Sequence, residues 1–211
     1  MGNTRLALTV EVNHGNQHTA KQVTPALWQY YDGLTDQHKP TLIRGDVFLG
    51  NEGFLVEAEK RSAHYLTKLR LTANVKKFIT KLFNEADCVN AGHGFEGAES
   101  TLKLTGWSKS RRVVVLRRAL SGDVAVSIKE GPCQLPLFFL ETPGSAKQYE
   151  YAVLVTSLPV EILSIAQLYR DRADSENCFD ELKNQWGWGG YTTQDLKRCR
   201  LVSRLVALVY N

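Results

Sequence analysis

The chain has 211 residues, 43% hydrophobic and 23% charged, with a formal net charge of +4 and a pI of about 8.8. That balance suits one globular domain with a sizeable core, or one with an inserted subdomain, and its mild basicity permits a polyanionic partner without demanding one. Cys88, Cys133, Cys178 and Cys199 are scattered with no C-x-x-C pair, and no stretch reaches the apolar length of a membrane span; zinc, disulfide-framework and membrane classes fall away, and a reduced, cytoplasmic protein is expected.

Leu6–Val12 is rich in apolar and β-branched residues and reads as a strand. Thr24-Pro25 then opens a helix, with threonine as cap and proline in the first turn, and Gly33 ends it. Thr41–Val47 is a short buried strand finishing at Asp46. Glu52–Ala63 is a second helix with Phe54, Leu55 and Ala58 inward, and Tyr65–Leu71 is a third strand. This alternation predicts an α/β layer. Four apolar runs follow, Thr101–Trp107, Arg112–Leu120, Leu135–Leu140 and Tyr149–Ser157. Turn signals separate them at Ser121-Gly122-Asp123, Gly131-Pro132 and Thr142-Pro143-Gly144, which predicts an antiparallel β insertion. Pro159 opens a long helix closed by Trp186-Gly187-Trp188-Gly189-Gly190, and a last helix runs from Thr193 to the end.

The long helix carries the most distinctive chemistry. At 3.6 residues per turn, Tyr169, Arg172, Glu176 and Lys183 fall within an arc of ~60°. A phenol, a guanidinium, a carboxylate and an ammonium thus point one way, a surface suited to a phosphodiester and a metal ion. The rival reading is an ordinary i,i+4 surface ion pair between Arg172 and Glu176. The apolar stripe Ile165, Leu168, Phe179, Leu182 and Trp186 lies beside the polar four, which favours partly buried charges.

The spacing Tyr-x-x-Arg-x-x-x-Glu-x-x-x-x-x-x-Lys resembles the signature of a group of bacterial insertion-sequence transposases with a DDE active site. Leu42-Ile43-Arg44-Gly45-Asp46, Gly50-Asn51-Glu52 and Tyr65-Leu66-Thr67-Lys68-Leu69-Arg70 agree with it. The resemblance implies an α/β, ribonuclease-H-like core interrupted by the β insertion. Residues 1–72 and 159–211 would form the core and 73–158 the insertion. It also implies phosphoryl transfer on DNA ends with Mg²⁺ (or Mn²⁺) held by carboxylates. Asp46 maps onto the family's second aspartate and Glu176 onto its glutamate, as catalytic and metal-binding residues. Tyr169, Arg172 and Lys183 map onto its DNA contacts. DNA carrying transposon terminal repeats is the expected partner, with a second copy or a full-length transposase beside it and no membrane.

Each assignment has a competitor. Asp46 follows glycine at a strand end, where aspartate commonly just caps a turn. Asp180 lies on nearly the same face as Glu176. Relatives that stack a flipped base carry tryptophan where this chain has Ala152, with Tyr151 beside it. The family's first aspartate has no counterpart in Leu6–Val12, which holds Glu11 and resembles the family's third strand. The chain is therefore expected to be a fragment, cut at both ends, of low stability and with little cleavage by itself. The alternative function is a catalytically dead DNA-binding remnant that occupies transposon ends or inhibits a full-length transposase; an unrelated α/β protein is a third.

Gly92-His93-Gly94-Phe95-Glu96-Gly97 matches G-x-G-x-x-G, but no strand is predicted before it, so it reads as a flexible loop. Lys109, Arg111, Arg112, Arg117 and Arg118 bracket an insertion strand and read as a solvated edge, or alternatively as DNA backbone contacts. The histidines are scattered, and His14 with His18 makes a weak metal pair.

Overall fold

A computed structural model describes residues 6–13, 19–120 and 149–211. The run Leu135–Leu140, the three turn signals between residues 121 and 148, Cys133 and the His14/His18 pair lie outside the described residues. The chain divides into two units, one of residues 40–169 and one of residues 1–39 and 170–211.

The larger unit is built on a six-stranded sheet of β1 (Leu42–Gly45), β2 (His64–Lys68), β3 (Val89–Gly92), β4 (Phe95–Leu102), β5 (Arg111–Ala119) and β6 (Tyr149–Thr156), in the order β1-β2-β6-β5-β4-β3. β1 and β2 are parallel, with Leu42 opposite His64 and Gly45 opposite Thr67. Every other pairing is antiparallel, with Leu66 opposite Thr156 and Val113 opposite Val155. The strands of the expected β insertion therefore continue the same sheet through the β2–β6 pairing. The continuous apolar runs Val113-Val114-Val115 and Val153-Leu154-Val155 are fully buried, as a strand covered on both faces requires.

Three helices dress this sheet: α2 (Glu52–Lys60), α3 (Ala73–Glu85) and α4 (Ile162–Arg170). Asn51 caps α2, its Oδ1 accepting from the Phe54 N–H, and Phe54, Leu55 and Ala58 turn inward. α3 was not anticipated, although Thr72 caps it and Val75, Ile79 and Leu82 form its buried stripe at helical spacing. α4 lays Ile162, Ile165 and Ala166 against Leu66, Val114, Leu116 and Leu154. A Cβ on Gly97 would lie 2.4 Å from Ile162 Cγ2, so glycine there gives the helix its seat. The expected loop at Gly92–Gly97 is instead the β3–β4 hairpin. Gly92, His93 and Gly94 take left-handed φ of 76°, 54° and 74°, which is turn chemistry and explains the glycines without a phosphate.

The smaller unit holds α1 (Thr19–Asp32), α5 (Ala173–Asn184) and α6 (Leu196–Tyr210). α1 begins at Thr19, so Pro25 is interior and not in the first turn; the missing proline N–H costs one helical bond that the rest of the helix tolerates. Gly33 ends α1, its N–H reaching the Gln29 and Tyr30 carbonyls. Leu6–Val12 does not form a strand. Three of its backbone groups are met by side chains: Ala7 N–H and C=O by the Asn211 amide at 2.7 and 3.1 Å, and the Val12 carbonyl by Arg200 Nε at 2.8 Å. β-propensity without a neighbouring ladder is insufficient to make a strand.

The predicted long helix is two helices. α4 ends at Arg170, Asp171-Arg172 is a turn, and α5 starts at Ala173. The Asp174 and Ser175 N–H groups bond back only three residues, to the Asp171 and Arg172 carbonyls. Asp171, Asp174 and Ser175 are residue types that compete with the helix backbone. The expected close of the helix does occur: Trp188 and Gly189 N–H groups return to the Leu182 and Lys183 carbonyls, with Gly187 at φ 81°.

Candidate active site

Asp46 stands directly after β1, at the end where the parallel strand β2 also finishes. Carboxyl ends of parallel strands are where α/β sheets commonly present their chemistry. Asp46 precedes the single 3₁₀ turn Val47–Leu49 in the capping position, yet its side chain makes no capping hydrogen bond. The turn is closed by backbone alone, Leu49 N–H to the Asp46 carbonyl at 2.9 Å and Gly50 N–H to the Val47 carbonyl at 3.1 Å. Asp46 is half-buried, so the bland reading of this aspartate as a turn cap is not realised.

The surrounding motif residues have structural work. A Cβ on Gly45 would lie 2.6 Å from Leu49 Cδ1, and one on Gly50 would lie 2.3 Å from the Lys68 carbonyl oxygen. Both glycines let the loop press onto β1 and β2. Arg44, two residues before Asp46, donates through Nη1 to the Leu168 carbonyl at 2.7 Å. It thereby ties β1 to the last turn of α4, where a cation is favoured by the helix dipole. Tyr169 follows Leu168 and packs against the core cluster of the larger unit.

The predicted polar face is divided. Tyr169 belongs to α4 in the larger unit, whereas Arg172, Glu176 and Lys183 belong to the smaller one. With a turn between them, the four do not share one continuous helix face. Arg172 Nη2 donates to Glu176 Oε1 at 2.7 Å, and the Glu176 side chain is 60% exposed. This is the i,i+4 ion pair of the rival reading, worth a few tenths of a kcal/mol. Phe179, expected in the apolar stripe, is exposed, while Leu182 is buried. Lys183 and Asp180 are exposed.

The basic residues around β5 are paired with carboxylates, and the Lys109 and Arg118 side chains stay 58% and 46% exposed. Arg112 pairs with Glu99, Arg117 with Glu96 at 2.8 Å and Arg118 with Glu150 at 2.5 Å. Arg111 is 4% exposed and grips two carboxylates of α2. Its Nη1 donates to Glu52 Oε2 at 2.5 Å and its Nε to Glu59 Oε1 at 2.7 Å. Tyr65 Oη donates to Glu59 at 2.9 Å, the Ser108 N–H and Oγ both donate to Glu52, and Lys109 sits 3.2 Å from Glu59. The Trp107 ring lies 5.0 Å from the Arg111 guanidinium carbon. Burial would raise the Glu52 carboxyl, but Arg111 and Ser108 outweigh it and hold it at about 2. Glu59 is lowered likewise, against burial, by Arg111, Tyr65 and Lys109, and Tyr65 is raised by burial and by Glu59. This cluster escaped the sequence reading; its one signal was Glu52 and Glu59 seven apart, on the same side of α2.

Among the described residues no group of three or more His, Cys, Asp or Glu side chains is gathered to hold a metal ion. Each of the carboxylates Asp46 and Glu176 is by itself a hard oxygen donor of the kind a divalent cation takes. Asp46 makes no capping bond, and the Glu176 carboxylate, 60% exposed, pairs with Arg172. No curated protein matches the chain. The family model described as "Transposase DDE domain" matches residues 2–211. Together with the mixed α/β sheet ending at Asp46, this match over nearly the whole length means that the chain belongs to the DDE transposase family.

Proposed function

We propose that the chain acts on insertion-sequence ends, where the family's reaction is metal-dependent strand cleavage and transfer. The observation that carries this is Asp46, a half-buried aspartate at a strand end that does not cap the turn it precedes. Asp46 and Glu176 hold the metal in this reading. A bound Mg²⁺ or Mn²⁺ supplies activation of the attacking oxygen and stabilisation of the leaving one. Tyr169, Arg172 and Lys183 bind DNA phosphates in this reading, and Arg172, now paired with Glu176, would be released for a phosphate were Glu176 to hold the metal. The Arg44–Leu168 bond supports the Asp46 half of this reading, because it ties the strand that carries Asp46 to the last turn of α4.

The test is cleavage of a terminal-repeat duplex by wild type, Asp46→Asn and Glu176→Gln, with binding measured in parallel. Loss of cleavage with binding retained in both variants is expected. Equal cleavage by wild type and Asp46→Asn would refute the assignment.

One observation favours the second reading, a DNA-binding remnant without cleavage. Leu6–Val12 is not a strand of the six-stranded sheet, and its acidic residue, Glu11, pairs with Arg204 at 2.8 Å, so the segment does not supply the family's first aspartate. Binding by the wild type without cleavage, in Mn²⁺ as in Mg²⁺, decides for this reading.

A further inference from the structure

The Asp46 carboxylate makes no capping hydrogen bond, so its position is set by the backbone that carries it. That backbone is anchored at both ends of a short loop. On one side, β1 is in register with β2 and Gly50 is seated on the Lys68 carbonyl. On the other, Asn51 bridges loop and helix, Nδ2 to the Phe48 carbonyl at 2.7 Å and Oδ1 from the Phe54 N–H at 3.1 Å. The loop therefore follows wherever α2 goes.

α2 has only nine residues. Its buried Phe54, Leu55 and Ala58 hold it on the sheet, but apolar burial is non-directional and does not set the helix's position along its own axis. Directed, charge-assisted bonds do. We infer that Arg111 is a positioning residue for Asp46: by gripping Glu52 and Glu59, two turns apart on α2, it fixes where the helix begins and hence where the Asp46 loop ends. The guanidinium suits this because its planar fork reaches both carboxylates at once, as a lysine ammonium on one flexible stem does not. Glu52 is the first residue of α2, so one arm of the fork acts at the junction itself. The inference rests on the reading of Asp46 as a metal ligand for its meaning, but its mechanical content is independent of that reading.

The test uses the full chain as wild type, Arg111→Lys, Glu52→Gln, Asp46→Asn and, as a control for general loosening, Leu154→Ala. Amide hydrogen exchange is followed at Leu49 and Gly50 and at β5 and β6. In Arg111→Lys the Leu49 and Gly50 amides are expected to exchange ~10-fold faster than in wild type, with β5 and β6 little changed. Leu154→Ala is expected to accelerate β5 and β6 at least as much as the loop. Mn²⁺ binding, read by electron paramagnetic resonance of the free ion, is expected to weaken ~10–100-fold in Arg111→Lys, as for other residues that orient a ligand. Should Arg111→Lys fail to fold, Glu52→Gln takes the charge from one arm of the fork and gives the same pattern at smaller amplitude. Unchanged loop exchange, or uniform acceleration across the sheet, would overturn the inference. Mn²⁺ binding by Asp46→Asn equal to wild type would instead remove the metal role of Asp46, and the exchange data would still decide whether Arg111 holds the loop.

Discussion

Gly50→Ala is the sharpest probe of the loop that presents Asp46. Gly50 has φ −76° and ψ 40°, a conformation open to alanine, so the cost is one of space and not of backbone angle. The added Cβ would lie 2.3 Å from the Lys68 carbonyl oxygen, against the 3.4 Å at which ordinary contact begins, so about 1.1 Å must be found. Lys68 cannot easily recoil, being in register with Leu154 of β6, while the next residue, Leu69, donates to the Val153 carbonyl at 2.8 Å. The loop must therefore lift off β2. Overpacking of this kind costs ~1–3 kcal/mol, and at ~2–4 °C per kcal/mol for a chain of this size Tm falls by roughly 2–12 °C. Thermal unfolding followed by circular dichroism measures it. Gly190→Ala serves as control, because nothing lies within 4 Å of a Cβ there and no left-handed φ is involved. A Gly50→Ala melt within about 1 °C of wild type would refute the argument that Gly50 is required by its approach to β2.

Two further predictions concern charge. Glu52 titrates at about 2 in the folded chain against 4.5 as an unperturbed group. Its folded value is the lower one, so its contribution is complete above about pH 5 and is lost as pH falls from 4.5 through 2. With the side chain 26% exposed, that contribution is roughly 1–2 kcal/mol after solvent screening. Urea unfolding at pH 5 and pH 3 should therefore show a smaller loss in Glu52→Gln than in wild type, and equal losses would exclude the Arg111 and Ser108 bonds as the cause. Lys183 is exposed, so Lys183→Gln should leave stability within about 0.5 kcal/mol while lowering the salt dependence of DNA binding by roughly one counterion. An unchanged salt slope would remove Lys183 from the DNA-contacting set.

Much of the architecture was legible in the sequence. The strands ending at Asp46 and beginning near Tyr65, the capped helix between them and the apolar runs of β5 and β6 follow from local periodicity and end signals, and the structure places them within a few residues of expectation. The glycine-rich closure of α5 was equally visible, because left-handed turns demand a residue without a side chain. The candidate metal residues, by contrast, were named through resemblance to a family. Asp46 by itself had only a turn-capping reading, and the missing cap bond is a fact of the folded chain.

What required tertiary structure was everything decided between elements distant in sequence. Leu6–Val12 has strand composition, but strand formation depends on a neighbouring ladder, and its backbone found side chains of Arg200 and Asn211 instead. The helix through Tyr169 and Glu176 has a continuous periodic pattern, yet it breaks at Asp171-Arg172, beside residue types that favour turns over helix interiors. The basic cluster at Lys109–Arg118 suggested solvent or DNA because sequence shows charge without partners. Folding brought Glu52, Glu59, Glu96, Glu99 and Glu150 to it. Periodicity reports which residues face inward; it cannot report which opposite charge a fold will deliver across the sheet, and that pairing turned Arg111 from a candidate DNA contact into a buried anchor of α2.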